Sequence, residues 1–176
     1  MKALFFAAAL LSVSAQAAIS PQPLADIKDV QFNSERVITA GLPTEAQFPQ
    51  LKAAGVDLVI NLIPVGNRSG HADEASLAAS AGLDYINIEV DWKQPTQANL
   101  QRFFEVMDAN TDRDVLVHCA ANWRASAFYY LYLLHSGSAD SNELQHQVMM
   151  PWGDLKASLG KYPQWQRLIT EARAGL

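Results

Sequence analysis

The chain has 176 residues, 13 of them basic and 18 acidic, giving a net charge of −5 with no basic run, which argues against nucleic acid or an anionic membrane surface as a partner. One cysteine excludes an intrachain disulfide, and the length suits one domain with a hydrophobic core of its own. No apolar stretch is long enough to span a bilayer.

Lys2 precedes an apolar run over residues 3–13 and then Ser14, Ala15, Gln16 and Ala17, the pattern of a secretory signal peptide with an Ala-x-Ala cleavage site. The expectation is an exported protein, released across the inner membrane into the periplasm, with a mature chain that begins near Ala18. Loss of Lys2 leaves 12 basic against 18 acidic residues, net −6. A thiol kept in such an oxidising compartment is either buried and inert or useful.

Residues 18–36 read as a polar, proline-containing lead-in to a domain over residues 37–176. Residues 37–40 predict a short strand and Gly41-Leu42-Pro43 a turn. Thr44 and Gln47 form a capping box for a helix that buries Phe48 and Leu51 and stops at Gly55. Residues 56–62 are apolar except for Asp57 and Asn61 and predict a buried parallel strand. A loop with Pro64, Gly66 and Gly70 follows, then a helix over 72–81 closed by Gly82 and a strand over 85–90. Thr96 caps a helix in which Leu100, Phe103, Phe104 and Met107 recur at helical spacing, and Val115-Leu116-Val117 is the next strand. A helix over 125–135, apolar nearly all round and ended by Gly137, belongs in the middle of the domain. Two further helices, over 142–149 and 163–174, flank a loop at Pro151, Trp152 and Gly153. The alternation predicts an α/β fold, a parallel or mixed central sheet flanked by helices on both faces, with ligands bound beyond the carboxyl ends of the strands.

His118 and Cys119 stand at that end of the last strand. The run His118-Cys119-Ala120-Ala121-Asn122-Trp123-Arg124-Ala125-Ser126 places a thiol, a loop and an arginine between a buried strand and a buried helix. Loop amides and the helix N-terminus then make a cradle for a phosphate, and they favour a thiolate, which makes Cys119 a nucleophile near neutrality. Ala120, Ala121, Asn122 and Trp123 supply the cradle, Arg124 a planar fork for two phosphate oxygens, and His118 support for the loop or the thiolate. Asp91, on the loop after the strand over 85–90, is the candidate acid for the leaving oxygen, ahead of Glu89 and Asp73. Ser126 is placed to hydrogen-bond the departing thiolate. Arg68 and His71 fall in a surface loop, His135 and His146 on helices, and no cluster has metal-ligand spacing, so neither metal nor cofactor is expected.

These residues carry a resemblance that covers most of the chain from Val37 onward. His118-Cys119 with its arginine resembles the signature of protein tyrosine and dual-specificity phosphatases, and Asp91 with Pro95 resembles their general-acid loop. Ala40-Gly41-Leu42-Pro43-Thr44, Leu51-Lys52-Ala53-Ala54-Gly55-Val56 and Val59-Ile60-Asn61-Leu62 are similar to a bacterial family of small phosphatase-like domains, some fused to β-lactamase-like hydrolases. The resemblance implies the dual-specificity phosphatase fold and no known substrate; the expectation is hydrolysis through a cysteinyl-phosphate intermediate, with a phosphorylated small molecule or phosphoprotein, or another oxyanion, as the partner.

Five residues separate cysteine from arginine in that signature, and four do here. Either one residue is missing or the arginine sits one place early, and Ser126 matches the signature's hydroxyl position in the second case. The four-residue spacing also resembles the active loop of rhodanese-type sulfurtransferases, in which glycine often holds the position of Asn122, and asparagine tolerates a left-handed backbone. A persulfide-carrying enzyme and a noncatalytic anion-binding or partner-binding module are therefore the alternatives.

Overall fold

The computed structural model describes residues 18–176, so the expected signal peptide, residues 1–17, lies outside the described residues. The strands are β1 (Gln31–Phe32), β2 (Val37–Ala40), β3 (Leu58–Asn61), β4 (Asp84–Asn87) and β5 (Val115–His118). They form one sheet in the order β1-β2-β5-β3-β4, in which β1 pairs antiparallel and every other pair is parallel. His118 is in register with Ala40 on one side and Asn61 on the other, and Asn61 with Asn87. Four strands thus end level, and Cys119 leaves the sheet at the carboxyl edge of its central strand.

Alternation along β5 splits the core into two layers. Leu116 packs with Ile38, Val59, Phe48 and Leu51 under α1 (Phe48–Ala53) and α2 (Glu74–Ser80). Val115 and Val117 pack with Leu58, Ile60, Phe103 and Phe128 under α3 (Gln97–Asp108) and α4 (Trp123–His135), behind which lie α5 (Asn142–Val148), α6 (Leu155–Lys161) and α7 (Pro163–Gly175). The sheet is mixed and covered on both faces, as the sequence predicts. Both predicted capping devices form: Thr44 with Gln47, and Thr96 with Asn99. Gly55 (φ 103°) and Gly137 (φ 93°) take the left-handed conformation that ends their helices. Among the described residues no helix is long and apolar enough to cross a membrane.

Three features differ from the sequence expectation. The fourth strand stops at Asn87 rather than residue 90, because its partner β3 has ended. Ile88 N–H donates to Asn61 O at 2.9 Å, and Val90 O is taken by the Arg124 side chain. The short helix α6 replaces part of a predicted loop, started by Asp154, which accepts from Ala157 N–H at 3.0 Å. The lead-in is part of the domain: Ile19, Leu24 and Ile27 are buried on the α1 face, and β1 extends the sheet.

Candidate active site

Between β5 and α4 the chain turns in four residues, 119–122. The turn closes at Asn122, which has φ 59° and ψ 3° and immediately precedes the first residue of α4. A left-handed residue is what so short a strand-to-helix connection needs, and asparagine supplies it at low cost. The buried Asn122 side chain also ties the loop down: Nδ2 donates to Asp29 O at 2.7 Å, Thr39 Oγ1 at 3.2 Å and Gln31 Oε1 at 3.3 Å. Ala120 O accepts from Lys28 Nζ at 3.2 Å and Leu42 N–H at 3.4 Å. Gly41 is pressed against the lead-in, since a Cβ there would stand 3.0 Å from Lys28 O. The segment 28–31 therefore buttresses the loop from behind.

Cys119, Ala120, Ala121, Trp123 and Arg124 line one cavity of about 220 Å³, completed by Trp92 and Tyr162. Cys119 is 2% exposed and lines this space. Among the described residues the backbone N–H groups of Ala120, Ala121, Trp123 and Arg124 meet no protein acceptor, which leaves four donors around the cavity that the same residues line. Arg124 is buried, and its Nη1 donates to Leu62 O at 2.8 Å and Val90 O at 3.1 Å. Those carbonyls, in the segments that leave β3 and β4, fix the guanidinium plane. Nη2 and Nε have no protein partner among the described residues, so the remaining edge of the fork is free for an anion.

The walls are aromatic. All four tryptophans of the chain join one cluster with Tyr162: Trp92 lies 5.7 Å from Trp123, 5.1 Å from Trp165 and 5.0 Å from Tyr162, and Trp123 stacks on Trp152 at 4.9 Å. Trp152 Nε1 donates to Trp123 O and Trp165 Nε1 to Trp92 O, which pins the loop of Asp91 and the start of α4 to the C-terminal helices. Sequence reading considered Trp123 but missed Trp92 and Tyr162 as wall residues, because only the fold brings residues 92, 123 and 162 together.

Other candidates sit elsewhere. Asp91 adjoins the cavity through its neighbour Trp92, but its own carboxylate is exposed and accepts from Lys93 N–H at 2.8 Å across its turn. Ser126 Oγ donates back to Trp123 O at 3.2 Å within α4. Glu89 accepts from Val65 N–H, and Asp73 caps α2 through Ser76, whose hydrogen bonds hold its carboxyl below the usual range. His71 is paired with Pro43 O and His135 with Asp108, both away from the cavity.

His118 is fully buried on the opposite side of the strand end. Its Nε2 lies 2.6 Å from Oε1 of Glu74, the buried first residue of α2. A second cavity of about 160 Å³ adjoins this pair, bordered by Asn61, His71, Asp73, Glu74, Tyr85 and Asn87. Burial, with the Glu74 and Asp73 charges adding to it and an Asn61 hydrogen bond opposing it, pushes the Tyr85 hydroxyl up to about 12.

No family model matches the chain. A crystal structure of a DUF442 protein from Shewanella putrefaciens CN-32, named as a candidate phosphatase, is 45% identical and superposes with a TM-score of 0.80, covering 89% of this chain and 96% of that one. A beta-lactamase hydrolase-like protein of Agrobacterium fabrum is 37% identical over 108 residues, which are 60% of this chain and 25% of the relative. The chain thus spans about a quarter of the length of the curated relatives it matches. TpbA of P. aeruginosa, crystallised with phosphotyrosine, is 16% identical with a TM-score of 0.63 over 90% of this chain and 91% of its own, a likeness of fold.

Proposed function

Because the chain belongs to the DUF442 family of phosphatase-like proteins, we propose that it is an exported, cysteine-dependent phosphatase that hydrolyses phosphate monoesters through a cysteinyl-phosphate intermediate. The observation that carries this reading is that one small cavity is lined by Cys119, by Arg124 with the free edge of its guanidinium, and by loop and first-turn residues whose backbone N–H groups have no protein acceptor among the described residues. The thiolate of Cys119 attacks phosphorus and the ester oxygen departs, taking a proton from Asp91. Water deprotonated by Asp91 then attacks the cysteinyl phosphate, releasing phosphate and restoring the thiolate. Loop amides and Arg124 hold the equatorial oxygens in both steps. Asp91 reaches the leaving group by giving up its turn contact with Lys93 when substrate fills the cavity.

A second reading, sulfur transfer through a Cys119 persulfide, is favoured by one specific observation. No carboxylate lines the cavity, whose walls apart from Cys119 and Arg124 are aromatic rings and alanines, which suits a sulfane sulfur that needs no acid. The test is single-turnover hydrolysis of a small aryl phosphate with acid quenching, beside a thiosulfate arm. Phosphatase chemistry predicts trapped phosphoenzyme that is absent from Cys119→Ser, and chemistry slowed roughly 10²-fold or more in Asp91→Asn. Persulfide formation with release of sulfite from thiosulfate, and no phosphoenzyme, would replace the first reading by the second.

A further inference from the structure

We propose that Lys28 is a positioning residue for the oxyanion cradle, acting through the peptide unit that joins Ala120 to Ala121; the proposal rests on the reading of this cavity as an oxyanion site. Lys28 is exposed, yet its ammonium makes no ion pair among the described residues and donates to Ala120 O at 3.2 Å, 92 positions away. The stem that carries the ammonium is seated. Gly41 leaves the room for it, since a Cβ there would stand 3.1 Å from both Cβ and Cδ of Lys28, and Gly41 N–H donates to Lys28 O at 2.7 Å. A stem held in this way has less rotamer freedom left to lose than a surface lysine ordinarily has. Leu42 N–H donates to the same Ala120 carbonyl at 3.4 Å, and Gly41 bridges Ala121 in the antiparallel sense. The Gly41-Leu42-Pro43 turn therefore does more than connect β2 to the helix that follows.

The consequence lies on the other side of the peptide. A peptide unit is planar, and this one is trans, so the N–H of Ala121 points opposite to the C=O of Ala120. Lys28 and Leu42 hold the oxygen at the rear of the loop, which turns the Ala121 N–H toward the cavity that both alanines line. A flip of this unit would aim the carbonyl oxygen at a bound oxyanion and leave the Lys28 ammonium without its acceptor. A cation on the carbonyl also polarises the unit and strengthens its N–H as a donor. The lead-in thereby sets the sense of one amide of the cradle from outside the strand, loop and helix that carry Cys119 and Arg124.

Inorganic phosphate is the probe, titrated into the whole protein and followed by tryptophan fluorescence, since Trp92 and Trp123 line the cavity. Lys28→Met is expected to raise the Kd for phosphate about tenfold, the scale of one hydrogen bond from a charged donor, and Lys28→Arg to recover most of the loss. The nitrogen-15 amide signal of Ala121 separates orientation from the attraction of a remote charge. It is expected to shift downfield in the parent as phosphate saturates the site, and to lose most of that shift in Lys28→Met. A weaker Kd with an unchanged Ala121 response at saturation would assign Lys28 a remote charge effect and overturn the proposal. So would a Kd in folded Lys28→Met within about twofold of the parent's. A parent chain that binds phosphate by neither readout would sink the oxyanion reading itself, and the proposal with it.

Discussion

Asn122 allows the backbone and side-chain parts of the loop to be separated. Replacing it by alanine removes the Nδ2 contacts to Asp29 O, Thr39 Oγ1 and Gln31 Oε1. An amide has only two N–H groups, so two net hydrogen bonds are lost, about 1 kcal/mol each. Alanine must also hold φ near 59°, which costs about another 1 kcal/mol. The expected loss is about 3 kcal/mol for Asn122→Ala and about 2 kcal/mol for Asn122→Gly, which loses the same hydrogen bonds and adopts a left-handed backbone freely. For a domain of this size that corresponds to a fall in Tm of roughly 9 and 6 °C, measured by circular dichroism melts. Alanine and glycine variants of equal stability would refute the left-handed turn as the reason for asparagine. An Asn122→Asp variant as stable as the parent would refute the orientation of the amide, because aspartate presents only acceptors to Asp29 O and Gln31 Oε1.

Two other perturbations probe the wall and the sheet. Trp123→Ala removes a ring stacked on Trp152 at 4.9 Å beside the cavity; KM for an aryl phosphate should rise about tenfold, the worth of one aromatic contact, while KM for an alkyl phosphate stays within about twofold. Equal changes for both would mean that the wall does not touch the leaving group. Asp114 is buried, and burial, with Asp57 adding to it, raises its carboxyl above the ordinary range despite Arg36 at 4.0 Å. A raised folded value means that the native state holds the proton more tightly, so the penalty is absent below the unfolded value of about 3.9 and complete above the folded one. Asp114→Asn should therefore raise Tm at pH 7, with the gain fading as pH falls through the folded value; a gain independent of pH would point to packing instead.

Most of the sheet is legible in the sequence because its strands are short apolar runs between capped helices. Thr44 with Gln47, Thr96, Gly55 and Gly137 each announce a boundary by local chemistry, and each forms as read. β1 is not legible, since two residues show no periodicity and Gln31-Phe32 pairs only because the lead-in returns to the edge of β2. The helix α6 is hidden behind Pro151 and Gly153, which punctuate a loop more strongly than Asp154 signals a cap. β4 is overpredicted because apolar Ile88 and Val90 continue the alternation around Glu89 after the ladder ends; both are buried, and Val90 O accepts from Arg124 rather than from another strand.

The candidate site divides along the same line. Cys119, Arg124 and the loop between them are contiguous in sequence, and a strand that runs into a helix leaves them little freedom, so their convergence on one cavity can be read from the chain. The left-handed turn at Asn122 is legible for the same reason. Trp92, Tyr162 and the Lys28 to Gln31 buttress join the site only through tertiary packing, from 27 to 91 positions away. What they supply is also different in kind. The local residues bring the thiol and the guanidinium to the cavity, while the distant ones wall it and hold the loop in place. Tryptophans and a tyrosine around the cavity act through packing and exclusion of water, effects that fall off within a few ångströms and so depend on the fold to place them.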